Sequence, residues 1–138
     1  MTEDFELHER LAADTVELER WPLSRVLLMN DASYPWLILV PRRPALSEVH
    51  DLDPGDMPQF MDEICGASRA LQSSLRPDKI NVAALGNLVP QLHLHVIARF
   101  TGDPAWPGPV WGKAPPVPYE SGALQERVAM LTGAFRET

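Results

Sequence analysis

Residues 91–100, QLHLHVIARF, alternate polar and apolar side chains, the pattern of a strand whose successive residues point to opposite faces of a sheet. Leu92, Leu94, Val96 and Phe100, with the small Ala98, fall on one face; Gln91, His93, His95, Ile97 and Arg99 fall on the other. The first is a core face. The second lines up an amide, two imidazoles and a guanidinium, alternate neighbours lying about 6.5–7 Å apart along the strand. One anionic group can touch several of them.

Two plainer readings stand beside that one. A His-x-His strand often presents only a solvated or hydrogen-bonded polar face. Imidazole is also the commonest metal ligand, but zinc sites need three or four protein ligands. The chain offers one cysteine, Cys65, and two further histidines, His8 and His50, with no CxxC or HExxH spacing to complete a set. The sequence therefore calls for no metal and no cofactor.

Around this strand the pattern predicts one domain over residues 1–138, a length sufficient to bury a core. Asp4 to Asp14 fits either a short helix or an irregular lead-in. Residues 15–19 read as an edge strand and 23–30 as a second strand. NDASYP is a turn rich in side chains that bond the backbone locally, and WLILVP (36–41) is a continuous apolar strand closing a hairpin. Asp53-Pro54 predicts a helix start, with Asp53 as N-cap, Pro54 as first helical residue and Asp56 in the acidic first turn. Met57, Phe60, Met61, Ile64, Ser68, Leu71 and Leu75 then mark one inward face, with Cys65 and Met61 read as packing residues, and Pro77 stops the helix near Arg76.

KINVAAL (79–85) is a further strand and Gly86-Asn87 a turn. Residues 102–118 hold six prolines and predict an extended segment. Trp106 and Trp111 within it suit either stacking on a base near a cleft or pinning the segment to the body. Leu124, Val128, Leu131 and Phe135 are spaced for one face of a terminal helix. The order β-β-β-α-β-β-α, with hairpin-length links, favours an α+β fold with an antiparallel sheet.

A formal charge of -7 argues against broad binding to a nucleic-acid polymer or an anionic membrane, because both reward clustered positive charge. A small anion remains compatible, with Arg42, Arg43 and Arg99 able to reverse the potential locally. The lone cysteine fits a reducing compartment. MTEDFELHER lacks the basic start and apolar stretch of a secretory signal, and no apolar run approaches the roughly 18 residues of a membrane span. These features predict a cytoplasmic protein.

Gln91-Leu-His93-Leu-His95-Val-Ile-Ala-Arg99 resembles the signature strand of the histidine triad (HIT) family, in which three histidines alternate with apolar residues. The strand before Asp31, the Asp31 turn and WLILVP look like that family's nucleotide-binding hairpin, and Trp106-Pro107-Gly108 resembles a tail element of some members. The likeness covers roughly residues 23–111. It implies a five-stranded antiparallel sheet with a central helix, here followed by a C-terminal helix, usually paired into a homodimer. It also implies attack by the middle histidine on a nucleotide α-phosphate, and transfer of the nucleotidyl group to water or another acceptor. His93 matches that middle histidine and His95 the third, which contacts phosphate oxygens. Asp31, with Asn30 as its rival, matches the ribose-binding position. Asn81 and Asn87 fall on the loop side, and Arg99 joins the candidate substrate contacts.

Three positions depart from the family pattern. Gln91 replaces the first triad histidine, Trp36 stands where the family carries a histidine ahead of the signature, and Leu88 falls where some members have a serine beside the leaving group. Loss of the first histidine leaves the nucleophile in place. If the carbonyl of residue 91 accepts from His93, the other ring nitrogen points outward as a nucleophile. His95, backbone N–H groups and the Gln91 amide then meet the charge building on the phosphoryl oxygens. The expected activity is a nucleotide hydrolase or nucleotidyltransferase acting on a nucleoside phosphoramidate or dinucleoside polyphosphate. Its competitors are a nucleotide-binding module without efficient catalysis and a purely structural dimer.

Overall fold

The computed structural model describes residues 5–137. The apolar run WLILVP forms the centre of the fold because both of its faces are covered. Strands β1 (Thr15–Arg20), β2 (Ser24–Met29), β3 (Trp36–Pro41), β4 (Lys79–Ala83) and β5 (Leu94–Arg99) make one antiparallel sheet in the order β1-β2-β3-β5-β4. Successive residues of β3 enter different cores. Leu37 and Leu39 join Val26, Leu28, Leu94, Val96 and Ala98 on one side, while Trp36, Ile38 and Val40 join Leu27 and Ile97 on the other. This alternation is the expected consequence of the two-residue strand period.

Two helices cover the first side. Helix α2 (Met57–Leu75) contributes Phe60, Ala67 and Leu71, and α3 (Ser121–Phe135) contributes Leu131, with Leu124, Val128 and Phe135 packed around it. Trp21 closes that end edge-on against Phe135, ring centroids 5.0 Å apart. The second side is covered by the short α1 (Glu9–Asp14), through Leu11, and by the proline-rich segment, through Ala105 and Val110. Among the described residues no helix is long and apolar enough to cross a membrane. Of the lead-in read as 4–14, Asp4 lies outside the described residues, and the helix occupies its second half.

Several sequence expectations need correction. Helix α2 begins at Met57 with Asp56 as its N-cap, three residues later than Asp53-Pro54 suggested. Asp53 instead caps a turn: its Oδ1 accepts from Gly55 N at 2.9 Å and its carbonyl from Asp56 N at 2.8 Å. The same acceptor groups serve a turn as well as a helix start. Met61 is 59% exposed and off the inward face, which instead buries Glu63. The Glu63 carboxylate accepts from Leu23 N (2.8 Å), Ser24 N (2.9 Å) and Gln59 Nε2 (2.9 Å), tying α2 to the entry of β2. The helix does end at Arg76, in left-handed geometry (φ 50), ahead of Pro77. Residues 101–114 run mostly through turns and bends, and 115–120 carry no regular structure.

Those turns are organised by Asp103. Its carboxylate accepts from Arg99 Nε (2.7 Å) and Nη2 (3.0 Å) and from the backbone N–H groups of Phe100, Ala105 and Trp106. Arg99 completes its bonding on Asn81 Oδ1 at 2.9 Å and lies between the rings of Tyr34 and Trp106, at 5.7 and 5.8 Å. The guanidinium bonds hold the Asp103 carboxyl down at about 2 against the opposing cost of burial. A second tie lies near the chain start, where Gln91 presents an acceptor and a donor to one stretch of backbone. Its Oε1 accepts from His8 N (2.8 Å) and its Nε2 donates to the Glu6 carbonyl (2.9 Å).

Replacing Asp103 by alanine strands a buried guanidinium, and the expected cost is about 3–5 kcal/mol of stability in urea unfolding. Because the folded pKa lies below the ordinary 3.8, the wild-type carboxylate stabilises fully above about pH 4. That contribution fades as pH falls towards about 2, and Asp103→Ala should lack this acid-side loss. Gln91→Ala should cost about 1–3 kcal/mol and speed hydrogen exchange at the His8 amide, with the core amides of β3 unchanged.

Candidate functional site

The buried polar face of β5 and the loop before it open into a cavity of about 330 Å³. That lies at the low end of the roughly 300–1,000 Å³ typical of small-molecule sites. Its floor is Trp36 and Ile38 from β3 with His93 and His95. One wall is the loop carrying Leu85, Gly86, Asn87, Leu88 and Val89; another is α1 with Leu11; Trp111 closes a third side. Gly86 turns that loop with φ 78, a backbone geometry that glycine adopts without strain. Arg10 and Asp14, paired at 3.4 Å, stand at the α1 side of the cavity.

His93 lies just before the first ladder residue of β5, and its Nδ1 is 2.7 Å from the carbonyl oxygen of Gln91. A carbonyl only accepts, so the neutral ring carries its proton on Nδ1 and leaves the lone pair of Nε2 free. His93 is 7% exposed and lines the cavity. His95 is 6% exposed and sits within an aromatic box. Its ring centroid lies 4.9 Å from His93, 5.0 Å from Trp111 and 5.7 Å from Trp36, each pair close to edge-on. Burial, reinforced by His93, pushes its pKa down to about 3. It is therefore a neutral imidazole at physiological pH.

The structure brings together His93, His95 and Asn87 of the sequence-derived candidates. It places the others elsewhere. Gln91 lies just ahead of β5 and does not line the cavity; its amide bonds the N-terminal backbone through Oε1 and one N–H of Nε2. Asp31 caps its own turn on Ser33 N (3.0 Å) and receives Val117 N (3.4 Å); Asn30 Oδ1 accepts from Tyr119 N (2.9 Å). Both hold the end of the proline-rich segment and neither lines the cavity. Asn81 and Arg99 bond to each other, and Arg99 is 2% exposed beneath Asp103, Tyr34 and Trp106. The Arg42 and Arg43 guanidiniums also serve the fold, bonding the Trp21 carbonyl and the Asp56 carboxylate respectively.

Of the two tryptophans left open by the sequence, Trp106 packs on Arg99 whereas Trp111 faces the cavity. Two features escaped sequence reasoning. Leu11 and α1 form a wall because Gln91 reaches the backbone of residues 6 and 8, a pairing across more than eighty positions. Trp36 is a member of the site through its ring nitrogen, which donates to His95 Nδ1 at 2.9 Å. Its register was available in principle: Trp36 pairs with Ile97, one diagonal step from His95. Among the described residues no group of three or more His, Cys, Asp or Glu side chains gathers as a metal site.

Comparison with known proteins agrees with this architecture. The chain matches the HIT domain family over residues 12–102. It is 50% identical to a histidine triad protein from Bradyrhizobium japonicum, with a TM-score of 0.92, covering 95% of this chain and 98% of the other. A histidine triad protein from Marinobacter aquaeolei VT8 is also 50% identical, with a TM-score of 0.93 and coverage of 96% and 97%. A third, from Sinorhizobium meliloti 1021, is 41% identical with a TM-score of 0.92, covering 95% and 97%. None of the curated proteins compared matches the chain. A family match spanning the sheet and the histidine strand, with solved histidine triad structures superposing along nearly the whole chain, makes this protein a member of the HIT domain family.

Proposed function

We propose that the protein is a nucleotide hydrolase or nucleotidyltransferase whose nucleophile is His93, acting on a nucleoside phosphoramidate or a dinucleoside polyphosphate. The observation that carries this reading is the Nδ1 contact of His93 to the Gln91 carbonyl, which leaves Nε2 unprotonated at the cavity. Nε2 attacks the α-phosphorus, a P–N bond forms to His93, and the bond from phosphorus to the leaving group breaks with its electron pair going to that group. Water then attacks the phosphorus of the nucleotidyl-histidine, loses its proton, and releases the nucleoside monophosphate and free His93. An alcohol or another phosphate in place of water gives transfer. Charge on the phosphoryl oxygens is met by hydrogen-bond donors at fixed positions.

The apolar walls suit this chemistry. Leu11, Ile38, Val89 and the rings of Trp36 and Trp111 offer surface to a base, while polar groups come from the two imidazoles, Asn87 and, on the α1 side, Arg10, Asp14 and Thr15. Support for a binding module without turnover comes from Leu88, which is 82% exposed and brings no proton donor to the leaving group. A leaving group that needs no protonation, such as a pyrophosphate or nucleotide, is less affected by that loss than an amine. The homodimer implied by the family resemblance belongs to the same reading.

Incubating the purified protein with adenosine phosphoramidate and with a diadenosine polyphosphate should release AMP, and a nucleotidyl-histidine should be trapped on residue 93 in a rapid quench. His93→Ala should lower turnover at least about a thousand-fold while nucleotide still raises the thermal midpoint. Wild-type protein that binds AMP yet releases none from either substrate would favour the binding module instead.

A further inference from the structure

The hydrogen bond between Trp36 and His95 joins two residues to which sequence reasoning assigned separate fates, one a departure from the family pattern and the other a phosphate contact. We propose that Trp36 is a positioning residue: its indole N–H fixes His95 in the tautomer that carries its proton on Nε2, aimed into the cavity. The inference deepens the proposed function and takes from it only the identity of the ligand, a phosphoryl group.

An indole has one N–H and no acceptor, so at 2.9 Å it can only donate to His95 Nδ1. A neutral imidazole holds a single ring proton, which must then reside on Nε2. At His93 the partner has the opposite polarity, a carbonyl that can only accept. Two histidines one strand step apart are thereby set in opposite tautomers, His93 with a lone pair at the cavity and His95 with an N–H. The sheet makes this possible by register, because Trp36 opposes Ile97 and its ring reaches diagonally to His95. The ring of Trp36 is itself held edge-on by Tyr34 (6.2 Å) and Trp111 (5.8 Å). A second proton on His95 would put Nδ1–H against the indole N–H, and burial opposes that charge as well. A histidine at position 36 would itself have two tautomers and would not impose this choice; tryptophan leaves none.

The test is long-range proton–nitrogen NMR on the full chain carrying nitrogen-labelled histidine, without nucleotide. The expected wild-type spectrum shows His95 protonated at Nε2 with a bare Nδ1, and His93 the reverse. A His95 protonated at Nδ1 overturns the proposal, and this reading needs neither a variant nor an active enzyme. Trp36→Phe keeps an aromatic ring and removes the donor. It should move the His95 Nδ1 resonance and lower kcat roughly tenfold, the worth of one neutral hydrogen bond, with KM little changed. A Trp36→Phe protein that folds and shows unaltered His95 nitrogen shifts also overturns it. Wild-type protein with the expected tautomers but no turnover would sink the proposed function and leave the role of Trp36 standing.

Discussion

A row of polar side chains on a strand buried from both sides must find a partner for each side chain, and this requirement organises the molecule. Strand β5 is buried along its whole length, yet its second face carries His95, Ile97 and Arg99, with His93 and Gln91 just ahead. Leaving a buried polar group unpaired costs about 1–3 kcal/mol, more for a charge. Each member therefore has a fixed bond: Gln91 to the N-terminal backbone, His93 to the carbonyl of residue 91, His95 to Trp36, and Arg99 to Asp103 and Asn81. The segments that cover this face, α1 and the turns of residues 101–114, are the ones those bonds recruit. Coverage and satisfaction are one arrangement.

Within that arrangement the cavity is the place where the covering is incomplete. His93, His95, Asn87 and the α1-side residues Arg10, Asp14 and Thr15 supply its polar groups, and its walls are largely apolar. A low-polarity surround strengthens any hydrogen bond made to a ligand there and penalises a charge brought in alone. His95 responds by staying neutral. Ground-state positive charge is therefore absent from that ring, and what it offers a phosphoryl oxygen is an aligned dipole. Arg99, which composition alone made attractive for an anion, is neutralised by Asp103 and sealed under two rings.

Periodicity was a good guide to this fold wherever burial was the cause of the pattern. The five strands, their antiparallel order and the apolar face of the terminal helix follow from alternation and three-to-four spacing, and the structure has them close to the expected bounds. What periodicity could not convey was which partner a polar side chain would choose. Asp53 looked like an N-cap because a turn cap and a helix cap use the same oxygen. Asn30 and Asp31 looked free for a ribose because the donors their oxygens accept from, the backbone N–H groups of Tyr119 and Val117, lie 89 and 86 residues away. Glu63 sat among apolar neighbours on a helix with nothing local to announce its bonds to residues 23 and 24. The bond from His93 to the carbonyl of residue 91 was legible because the two residues lie two positions apart in the chain.

The departures from the family signature acquire a common physical sense on this view. Imidazole is ambivalent, donor or acceptor at either nitrogen according to its surroundings, and a cluster of several such rings can rearrange its protons collectively. Here two positions that the family fills with histidine carry groups of definite polarity instead. Trp36 can only donate, and Gln91 offers one donor and one acceptor that are committed to neighbouring backbone. With those two sites decided, the remaining pair has no freedom left: the carbonyl of residue 91 dictates the proton of one ring and the indole that of the other. A triad that would otherwise share protons becomes a pair with one ring nitrogen left bare and one left as a donor, so the substitutions narrow the site's protonation states while His93 itself is kept.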